Sequence, residues 1–342
     1  MEQIYHQLLH ESIPQDLSKT SILLVGVLPE TVALVTTRNP KQCNVLSFSY
    51  KTYTTLLALP AITSIFGDIA LDETLLEKST FDLIVFPMTK STQHNLKILE
   101  VLQKHLTATG TIQVVGLNNG GIKGLASKLK KQGVAHTVVT NKRGGRVLAL
   151  LATPQLTATE YKSVATPYNF RDTTLTVTTY PGLFSYKKSD KGTQLLLDNF
   201  PKCSTKTILD VGCGSGVLSI AASLAGARQV DALDISATAV LLAQENCKEF
   251  ENITIEGGDM ALNREDFYDI IITNPPFHDG IKTDLTTGER WLDSLLPLLH
   301  KGGVVWLVAN SFISYGTMGR ARFSSVDRIA EENGFVVYKM VK

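Results

Sequence analysis

The sequence predicts an α/β protein of two tandem domains, each with a mostly parallel sheet and helices on both of its faces. Short apolar, strand-like stretches alternate with helical stretches along both halves, and this alternation is typical of parallel sheets covered by helices. The halves also resemble each other: residues 81–88, Phe-Asp-Leu-Ile-Val-Phe-Pro-Met, align with residues 268–275, Tyr-Asp-Ile-Ile-Ile-Thr-Asn-Pro. A repeat of this length indicates a duplicated domain and not a solenoid.

Composition narrows the possible classes of protein. The chain has 342 residues, which is enough for two domains that each bury a core. Its net charge is +1, so a nucleic-acid partner would need local basic patches. The four cysteines form no CxxC pair, which suits a reducing cytoplasm and argues against a disulfide framework or a cysteine zinc site. Apolar runs of roughly 18 residues are missing from the sequence, so we expect no membrane span.

The first half predicts regular structure without recognisable chemistry. We expect helices over residues 1–12 and 91–104, and strands over 21–26, 44–49, 81–86 and 111–116. The turn after its first strand has a single glycine, Gly26. Residues 151–180 are rich in Thr, Tyr and Pro and include an edge strand over 173–179, so we place the domain boundary near residue 165.

The second half contains a glycine-rich turn between a strand and a helix. Residues 207–216 read Thr-Ile-Leu-Asp-Val-Gly-Cys-Gly-Ser-Gly, and an apolar helix follows. The glycines Gly212, Gly214 and Gly216 alternate as G-x-G-x-G, whereas a dinucleotide fold would place its third glycine one position later. Glycines let a ligand approach the backbone closely. Asp210 before them is a poor neighbour for a pyrophosphate and a good one for an ammonium group or a ribose.

Acidic residues follow the next two predicted strands. Asp234 comes directly after residues 230–233, where a carboxylate can accept both hydroxyls of an adenosine ribose. Its alternative role is to cap the helix that begins near Ser236. Asp259 follows residues 253–255 and could meet an adenine amine, or could be an ordinary turn residue.

A rigid polar turn, Asn274-Pro275-Pro276-Phe277, follows a strand predicted to be buried on both faces. Two prolines end a strand, because neither can donate to a ladder and each fixes its φ. Open α/β sheets bind ligands at this carboxyl edge. An amide with an aromatic ring three residues later is suited to hold a planar amine, although Phe277 could instead belong to the core.

The corresponding positions of the first half lack these groups. Leu28 and Glu30 stand where the second half has Gly214 and Gly216, and Pro87 stands where it has Asn274. We therefore expect the first copy to fold but neither to bind the cofactor nor to react.

The remaining elements of the second half are predicted from caps and turns. Residues 190–197 read as a loop with a capping threonine, Thr193, that leads into an apolar helix. We expect a helix over 290–300, a strand over 303–309 and a closing antiparallel strand over 335–341. The pair Asn333-Gly334 favours a hairpin, although residues 326–330 also fit a helix.

These motifs resemble those of a known group of enzymes. Residues 209–216, Leu-Asp-Val-Gly-Cys-Gly-Ser-Gly, resemble the S-adenosylmethionine loop of class I methyltransferases, and Asn-Pro-Pro-Phe resembles the motif of those that methylate exocyclic or amide nitrogens. Residues 274–280, Asn-Pro-Pro-Phe-His-Asp-Gly, and residues 180–185, Tyr-Pro-Gly-Leu-Phe-Ser, add to this likeness. Together with a first half that lacks these motifs, they resemble the ribosomal RNA small subunit methyltransferase C family, which makes N2-methylguanosine in 16S rRNA.

The resemblance implies two tandem class I methyltransferase (Rossmann-like) domains, each with a seven-stranded-type sheet and an antiparallel closing strand. It implies a degenerate first domain over 1–165 and a catalytic domain over 166–342, with S-adenosyl-L-methionine as cofactor and no metal. The implied cofactor contacts are Asp210, Gly212, Gly214 and Gly216 at the methionine end, Asp234 at the ribose and Asp259 at the adenine. The implied catalytic residues are Asn274, Pro275 and Phe277, which hold the amine and its base.

We expect a cytoplasmic monomer that acts on ribosomal RNA, within the small ribosomal subunit. Two alternatives remain open from the residues. The same motif could methylate another planar amine, such as a release-factor glutamine or the adenine N6 amine. The first half could also serve as a non-catalytic RNA-binding or assembly module.

Overall fold

The computed structural model describes residues 2–152, 156–260, 267–275 and 285–342. The chain divides into two compact units, Met1–Lys162 and Ser163–Lys342. Each unit contains one seven-stranded sheet, and the second also has a two-stranded sheet. None of the helices in the described ranges has the length and apolar character that crossing a membrane requires.

The sheet of the first unit is parallel except at one strand. Its strands are β1 (Ser21–Val25), β2 (Gln42–Ser47), β3 (Thr63–Phe66), β4 (Phe81–Pro87), β5 (Leu106–Leu117), β6 (His136–Lys142) and β7 (Gly145–Leu151). Its helices are α1 (Glu2–Ser12), α2 (Pro29–Thr36), α3 (Tyr50–Leu56), α4 (Thr92–Gln103) and α5 (Ile122–Lys131), with a 3-10 helix at Glu73–Leu76. The strand order is β3-β2-β1-β4-β5-β7-β6, and β7 runs antiparallel to both of its neighbours.

The second unit repeats this topology after a hairpin of β8 (Val164–Phe170) and β9 (Thr173–Thr179). Its sheet contains β10 (Thr207–Val211), β11 (Gln229–Asp234), β12 (Ile253–Gly257), β13 (Tyr268–Thr273), β14 (Leu299–Asn310), β15 (Ser325–Glu332) and β16 (Phe335–Val341). Its helices are α6 (Lys191–Asp198), α7 (Val217–Leu224), α8 (Ala237–Cys247), α9 (Leu285–Leu295) and α10 (Tyr315–Arg320), with a 3-10 helix at Leu296–Leu298. The order β12-β11-β10-β13-β14-β16-β15 matches the first sheet, so the predicted pair of mostly parallel sheets is confirmed.

Both faces of the second sheet are buried. Ile208 and Ile270 belong to one core, which includes apolar residues of α6 and α7. The next residues along the same strands, Leu209 and Ile271, belong to a second core with α9 and α10. Successive side chains of a strand point to opposite faces, so a sheet covered on both sides requires the continuous apolar runs seen in the sequence.

Each unit fixes the start of its central strand with an aspartate at the start of a neighbouring strand. In the first unit, the backbone N–H of Ser21 donates to Oδ2 of Asp82 over 2.9 Å. In the second, the backbone N–H of Thr207 donates to Oδ2 of Asp269, also over 2.9 Å. The repeat therefore extends from apolar pattern to individual hydrogen bonds.

Both sheets end in the same kind of hairpin. Arg143 and Gly144 connect β6 to β7 with φ values of 53° and 77°, and Asn333 and Gly334 connect β15 to β16 with 51° and 80°. Two consecutive positive φ values match the twist of antiparallel strands. The hairpin predicted from Asn333-Gly334 is confirmed, and the helical alternative over 326–330 is wrong, because those residues lie in β15.

Two predicted details are wrong. The helix expected over 290–300 ends earlier, at Leu295, because Pro297 lacks an N–H and disfavours helix at the preceding residue. Leu299 begins β14 instead. The cap of α6 is Asp190, whose Oδ1 accepts the backbone N–H of Thr193 over 2.7 Å, so the threonine is capped and is not the cap.

We predict that Asp82→Ala loosens the first sheet and leaves the second unchanged, since it removes the acceptor for the Ser21 N–H. Leaving such a part-buried donor without its acceptor costs about 1–3 kcal/mol. Hydrogen exchange followed by mass spectrometry should show faster exchange in β1 only. Asp269→Ala is the matched control and should affect β10 only. Equal acceleration in both sheets would contradict this account.

Candidate active site

Three strand ends meet at the carboxyl edge of the second sheet, those of β10, β11 and β13. Val211, the last residue of β10, pairs with Leu233 of β11 on one side and with Thr273 of β13 on the other. The hydroxyl of Thr273 also donates to the carbonyl of Val211 over 2.7 Å. The next residue of each strand, Gly212, Asp234 and Asn274, therefore emerges at the same edge.

The glycine loop, residues 212–216, has left-handed backbone at all three glycines, with φ of 78°, 56° and 83° at Gly212, Gly214 and Gly216. Its N–H groups are used within the protein. Gly212 and Cys213 donate to the carbonyl of Leu233 over 2.8 and 3.0 Å, and Gly216 donates to the carbonyl of Cys213 over 2.8 Å. A phosphate cradle needs backbone N–H groups that face the ligand, so this loop is not suited to a pyrophosphate.

The three glycines have different surroundings. A Cβ atom at Gly216 would lie 2.8 Å from Sγ of Cys247, so this glycine is needed for packing against α8. A Cβ at Gly214 would meet no atom of the described chain within 4 Å. A Cβ at Gly212 would only touch Trp291, at 3.9 Å. The loop therefore packs closely at its end and leaves room for a ligand at Gly214.

Asp210 is fully buried beneath the loop. Its Oδ2 accepts the hydroxyl of Ser219 over 2.6 Å, and its Oδ1 is buried without a hydrogen-bond partner in the part of the chain that the structure describes. Burial, and to a smaller extent the nearby charge of Asp234, raise the pKa of Asp210 to about 7, although the hydrogen bond from Ser219 lowers it. A cationic group at this site would stabilise the carboxylate.

Asp234 binds the backbone on both sides of itself. Its Oδ2 accepts the N–H of Gly214 and its Oδ1 accepts the N–H of Ser236, each over 2.9 Å. Burial raises the pKa of Asp234, while these backbone hydrogen bonds lower it. The carboxylate thus joins the glycine loop to Ser236, the residue before α8. The N-cap of α8 is Ser236 and not Asp234, so the alternative role of Asp234 as the cap is not confirmed. The backbone N–H groups of Ser236, Gly214 and Ile235 act on this carboxylate. A carboxylate can accept about four hydrogen bonds, which leaves capacity for a ligand hydroxyl.

Asp259 lies half-buried in the bend after β12. The bend is held beside β11, because the N–H of Gly258 donates to the carbonyl of Asp234 over 2.9 Å. Together with Asp210, these residues make the edge acidic. Within the described ranges, no three His, Cys, Asp or Glu side chains come together as a metal site would require.

Asn274 presents an oxygen that lacks a donor. Its Nδ2 donates to Oδ1 of Asp190 over 2.8 Å and to the hydroxyl of Thr193 over 2.9 Å. Its Oδ1 is buried and accepts no hydrogen bond from any described residue. Pro275 follows and is buried. Phe277, predicted to stack on a base, lies outside the described residues.

The structure adds polar residues that sequence reasoning missed. Asn246 of α8 donates from Nδ2 to the carbonyl of Ser215 over 2.9 Å and so holds the glycine loop. Ser219 and Asp190 contact the predicted site residues directly. A signal existed only for Asp190, since an aspartate at the start of an apolar helix is a typical cap. Asn246 lies 31 positions from Ser215, and Ser219 lies on the helix that follows the strand of Asp210, so neither contact was marked by a local motif.

The corresponding edge of the first unit begins in the same way and then differs. The N–H of Gly26 donates to the carbonyl of Leu46 over 2.8 Å, as that of Gly212 does to Leu233. The turn that follows is shorter, because α2 begins at Pro29 after an extended Leu28 with φ of −81°. No glycine loop forms there.

Side chains of the first unit fill that edge. A Cβ atom at Gly26 would lie 2.8 Å from the ring of Phe48, which therefore covers the glycine. The Phe48 ring lies 6.0 Å from that of His94, and Tyr161 stacks on His94 at 6.0 Å and 17°. Nε2 of the buried His94 lies 2.8 Å from Oδ2 of the buried Asp68. The Phe48 ring thus covers the position that corresponds to Gly212, where a Cβ would meet only Trp291 among the described residues, at 3.9 Å.

Comparisons with known proteins agree with this architecture. A family profile described as "Methyltransferase small domain" matches residues 174–339, and one described as "Methyltransferase small domain N-terminal" matches residues 9–163. In structure, the chain resembles a T. thermophilus 16S rRNA N2 methyltransferase solved in complex with AdoMet and guanosine. The TM-score is 0.82 at 21% identity, over 99% of this chain and 92% of that one, which shows a shared fold.

Two curated relatives carry the same name. The ribosomal RNA small subunit methyltransferase C of Vibrio cholerae is 31% identical over 326 residues, which cover 94% of each chain. That of Shewanella halifaxensis is 33% identical over 281 residues, 77% of this chain and 78% of the relative. The match to the Vibrio cholerae relative covers 94% of this chain and so spans both units, and this chain belongs to the ribosomal RNA small subunit methyltransferase C family.

Proposed function

We propose that this protein transfers the methyl group of S-adenosylmethionine to the exocyclic N2 amine of a guanine in 16S ribosomal RNA. The observation that carries the proposal is the buried Oδ1 of Asn274, an acceptor without a donor among the described residues, next to the glycine loop. A buried acceptor of this kind is costly unless a ligand supplies the donor. Family membership favours guanine over a glutamine or the adenine N6 amine as that donor.

Asn274 and Pro275 would activate the amine by holding it. The lone pair of a guanine amino nitrogen is delocalised into the ring, so the nitrogen is a poor nucleophile. Asn274 Oδ1 accepts one hydrogen of the amine and the carbonyl of Pro275 accepts the other. This draws the nitrogen towards tetrahedral geometry and aims its lone pair. Catalysis then depends mainly on positioning and electrostatics, without a strong base.

The acidic edge would hold the cofactor. When bound, S-adenosylmethionine supplies a methyl group on a positively charged sulfonium. Asp210, Gly212, Gly214 and Gly216 line its methionine end, where a cation stabilises the buried Asp210 carboxylate. Asp234 accepts the ribose hydroxyls and Asp259 faces the adenine. Phe277 stacks on the guanine once the base leaves its RNA stack, a contact worth about 1–3 kcal/mol.

The two domains would divide the work. Residues 166–342 carry catalysis, and residues 1–165 support folding and RNA docking without binding cofactor. The ring of Phe48 over Gly26 supports this division, because it covers the position that corresponds to the glycine loop. We propose a cytoplasmic monomer whose substrate is the rRNA of the small ribosomal subunit.

We predict that Asn274→Ala lowers methyl transfer by about 100-fold or more, the usual loss when one polar contact to a transition state is removed. Cofactor affinity should stay largely intact, because Asn274 contacts the amine and not the cofactor. The assay is labelled methyl transfer to small subunits from cells that lack this protein, followed by nucleoside analysis. Undiminished N2-methylguanosine would refute the mechanism.

Another prediction distinguishes two of the three loop glycines, Gly214 and Gly216. Gly214→Ala should weaken cofactor binding by about tenfold while leaving a folded protein. Its Cβ would meet no described atom within 4 Å, and left-handed backbone adds only about 1–2 kcal/mol of strain. Gly216→Ala should lower the unfolding temperature more, because its Cβ meets Cys247 at 2.8 Å. Titration calorimetry measures the cofactor affinity, and scanning calorimetry measures the unfolding temperature. A larger loss of unfolding temperature in Gly214→Ala than in Gly216→Ala would contradict these roles.

The third prediction concerns pH. Burial raises the pKa of Asp210 to about 7, so the ligand-free protein holds this proton below pH 7. A bound cation favours the carboxylate, so affinity for S-adenosylmethionine should be fully present above pH 7. It should fall by at most about tenfold per pH unit as pH drops through 7. Titration calorimetry in buffers of different ionisation enthalpy measures the released proton. Asp210→Asn should bind more weakly and without this pH dependence, and an unchanged pH profile in that variant would exclude Asp210 as the titrating group.

A further inference from the structure

We propose that Asp190 and Thr193 are positioning residues that fix the orientation of the Asn274 amide, so that its oxygen and not its NH2 group faces the substrate amine. This inference rests on the proposed function. It goes further because it assigns a role in methyl transfer to the first turn of α6, which lies more than 80 positions before Asn274.

The amide orientation follows from the chemistry of its partners. The NH2 group of asparagine has two hydrogens, and here both have acceptors, Oδ1 of Asp190 at 2.8 Å and Oγ1 of Thr193 at 2.9 Å. An ionised carboxylate only accepts hydrogen bonds, so it must face the nitrogen of the amide. Rotating the amide by half a turn would place Asn274 Oδ1 against the carboxylate of Asp190 and lose that bond. The Thr193 hydroxyl can donate as well as accept, so Asp190 is the partner that decides the orientation.

Asp190 is itself held in place from three directions. Its Oδ1 also accepts the N–H of Thr193 over 2.7 Å, which caps α6. Its own N–H donates to the hydroxyl of Tyr168 over 3.1 Å, and the Tyr168 side chain is buried. Gly192, which lies between Asp190 and Thr193 in the chain, packs closely on Phe335: a Cβ there would lie 2.8 Å from the Phe335 ring. The turn therefore cannot shift easily, and it presents a fixed pair of acceptors to Asn274.

The orientation matters because a rotated amide cannot activate the amine. With its NH2 group inward, Asn274 would present a donor to the N–H donors of the guanine. The amine would then keep its planar geometry and its delocalised lone pair. Losing Asp190 or Thr193 should thus lower kcat more than it raises KM for RNA. Loss of positioning by about 1 Å can reduce rates by about 100-fold.

Four variants separate positioning from helix capping. Asp190→Ser keeps an oxygen that can cap α6 but is too short to bind both the Thr193 N–H and Asn274. Asp190→Asn keeps an acceptor oxygen of the original length. Thr193→Val removes the second acceptor with little change in shape, and Thr193→Ser retains it. We expect kcat to fall by about 10–100-fold in Asp190→Ser and Thr193→Val. We expect it to stay within about threefold of the unmodified protein in Asp190→Asn and Thr193→Ser.

A spectroscopic measurement reports the orientation directly. In protein labelled with 15N-asparagine, the side-chain NH2 signals of Asn274 are assigned by their loss in Asn274→Ala. Both protons should resonate downfield, and Asp190→Ser should move one of them towards the position of a solvent-exposed amide. Hydrogen exchange across α6 serves as the control for folding. If Asp190 and Thr193 only stabilised α6, their variants would show faster hydrogen exchange in α6, and kcat would fall only as far as the folded fraction of the protein falls.

The outcomes keep the two proposals distinct. If Asn274→Ala retains full methyl transfer, the proposed mechanism fails, whatever Asp190 does. If Asn274→Ala is inactive but Asp190→Ser and Thr193→Val keep the kcat of the unmodified protein, only the positioning inference is overturned. A double-mutant cycle on the equilibrium affinity for guanosine adds a further test. Asp190→Ser should weaken this affinity in the unmodified protein and should not weaken it further in Asn274→Ala. Additive losses of guanosine affinity would show that Asp190 does not act through Asn274.

Discussion

The pairing of β13 with β10 is the constraint on which the active-site edge depends. Two strands that are far apart in the chain end side by side, and Thr273 ties their ends together through the carbonyl of Val211. This places the amide of Asn274 next to the glycine loop. Since both strands are buried on both faces, the register cannot slip by one residue without turning each side chain to the wrong core. A methyl donor and an acceptor nitrogen would meet here because the sheet holds both ends rigidly.

Charge at this edge is arranged for a cationic ligand. Burial disfavours the ionised forms of Asp210 and Asp234, as the raised pKa of each shows. The loop N–H groups that would attract a phosphate are instead bonded to the Leu233 carbonyl and to Asp234. A glycine-rich turn binds anions in other folds, whereas here these N–H groups already have acceptors within the protein.

Duplication preserved the scaffold and changed the edge. The two sheets share strand order, the aspartate that binds the start of the central strand, and the closing hairpin with its two positive φ values. These features stabilise the fold in either copy. In the first copy a short turn replaces the glycine loop, and Phe48, His94 and Tyr161 occupy the adjoining space. The two units thus share a fold and differ in the packing of side chains at this one edge of the sheet.

The sequence by itself determined the architecture and supplied the main candidates for the site residues. Continuous apolar strands, the repeat at residues 81–88 and 268–275, and Asn333-Gly334 predicted both sheets and the second hairpin, because such signals are local in the chain. Glycine spacing and the Asn-Pro-Pro-Phe turn identified the candidate residues for the same reason. Their roles in cofactor and base binding stay predictions, and Phe277 lies outside the described residues.

Only the tertiary structure decided how these residues are held. The helix expected to reach residue 300 ends at Leu295, and the cap of α6 is Asp190 and not Thr193. The bonds from Asn274 to Asp190 and Thr193 and from Asn246 to the loop join distant segments. The bond from Ser219 to Asp210 joins α7 to the strand before it. Local sequence patterns carry no information on such contacts, because they depend on which strand ends the sheet brings together. The amide orientation of Asn274 is therefore a property of the folded chain.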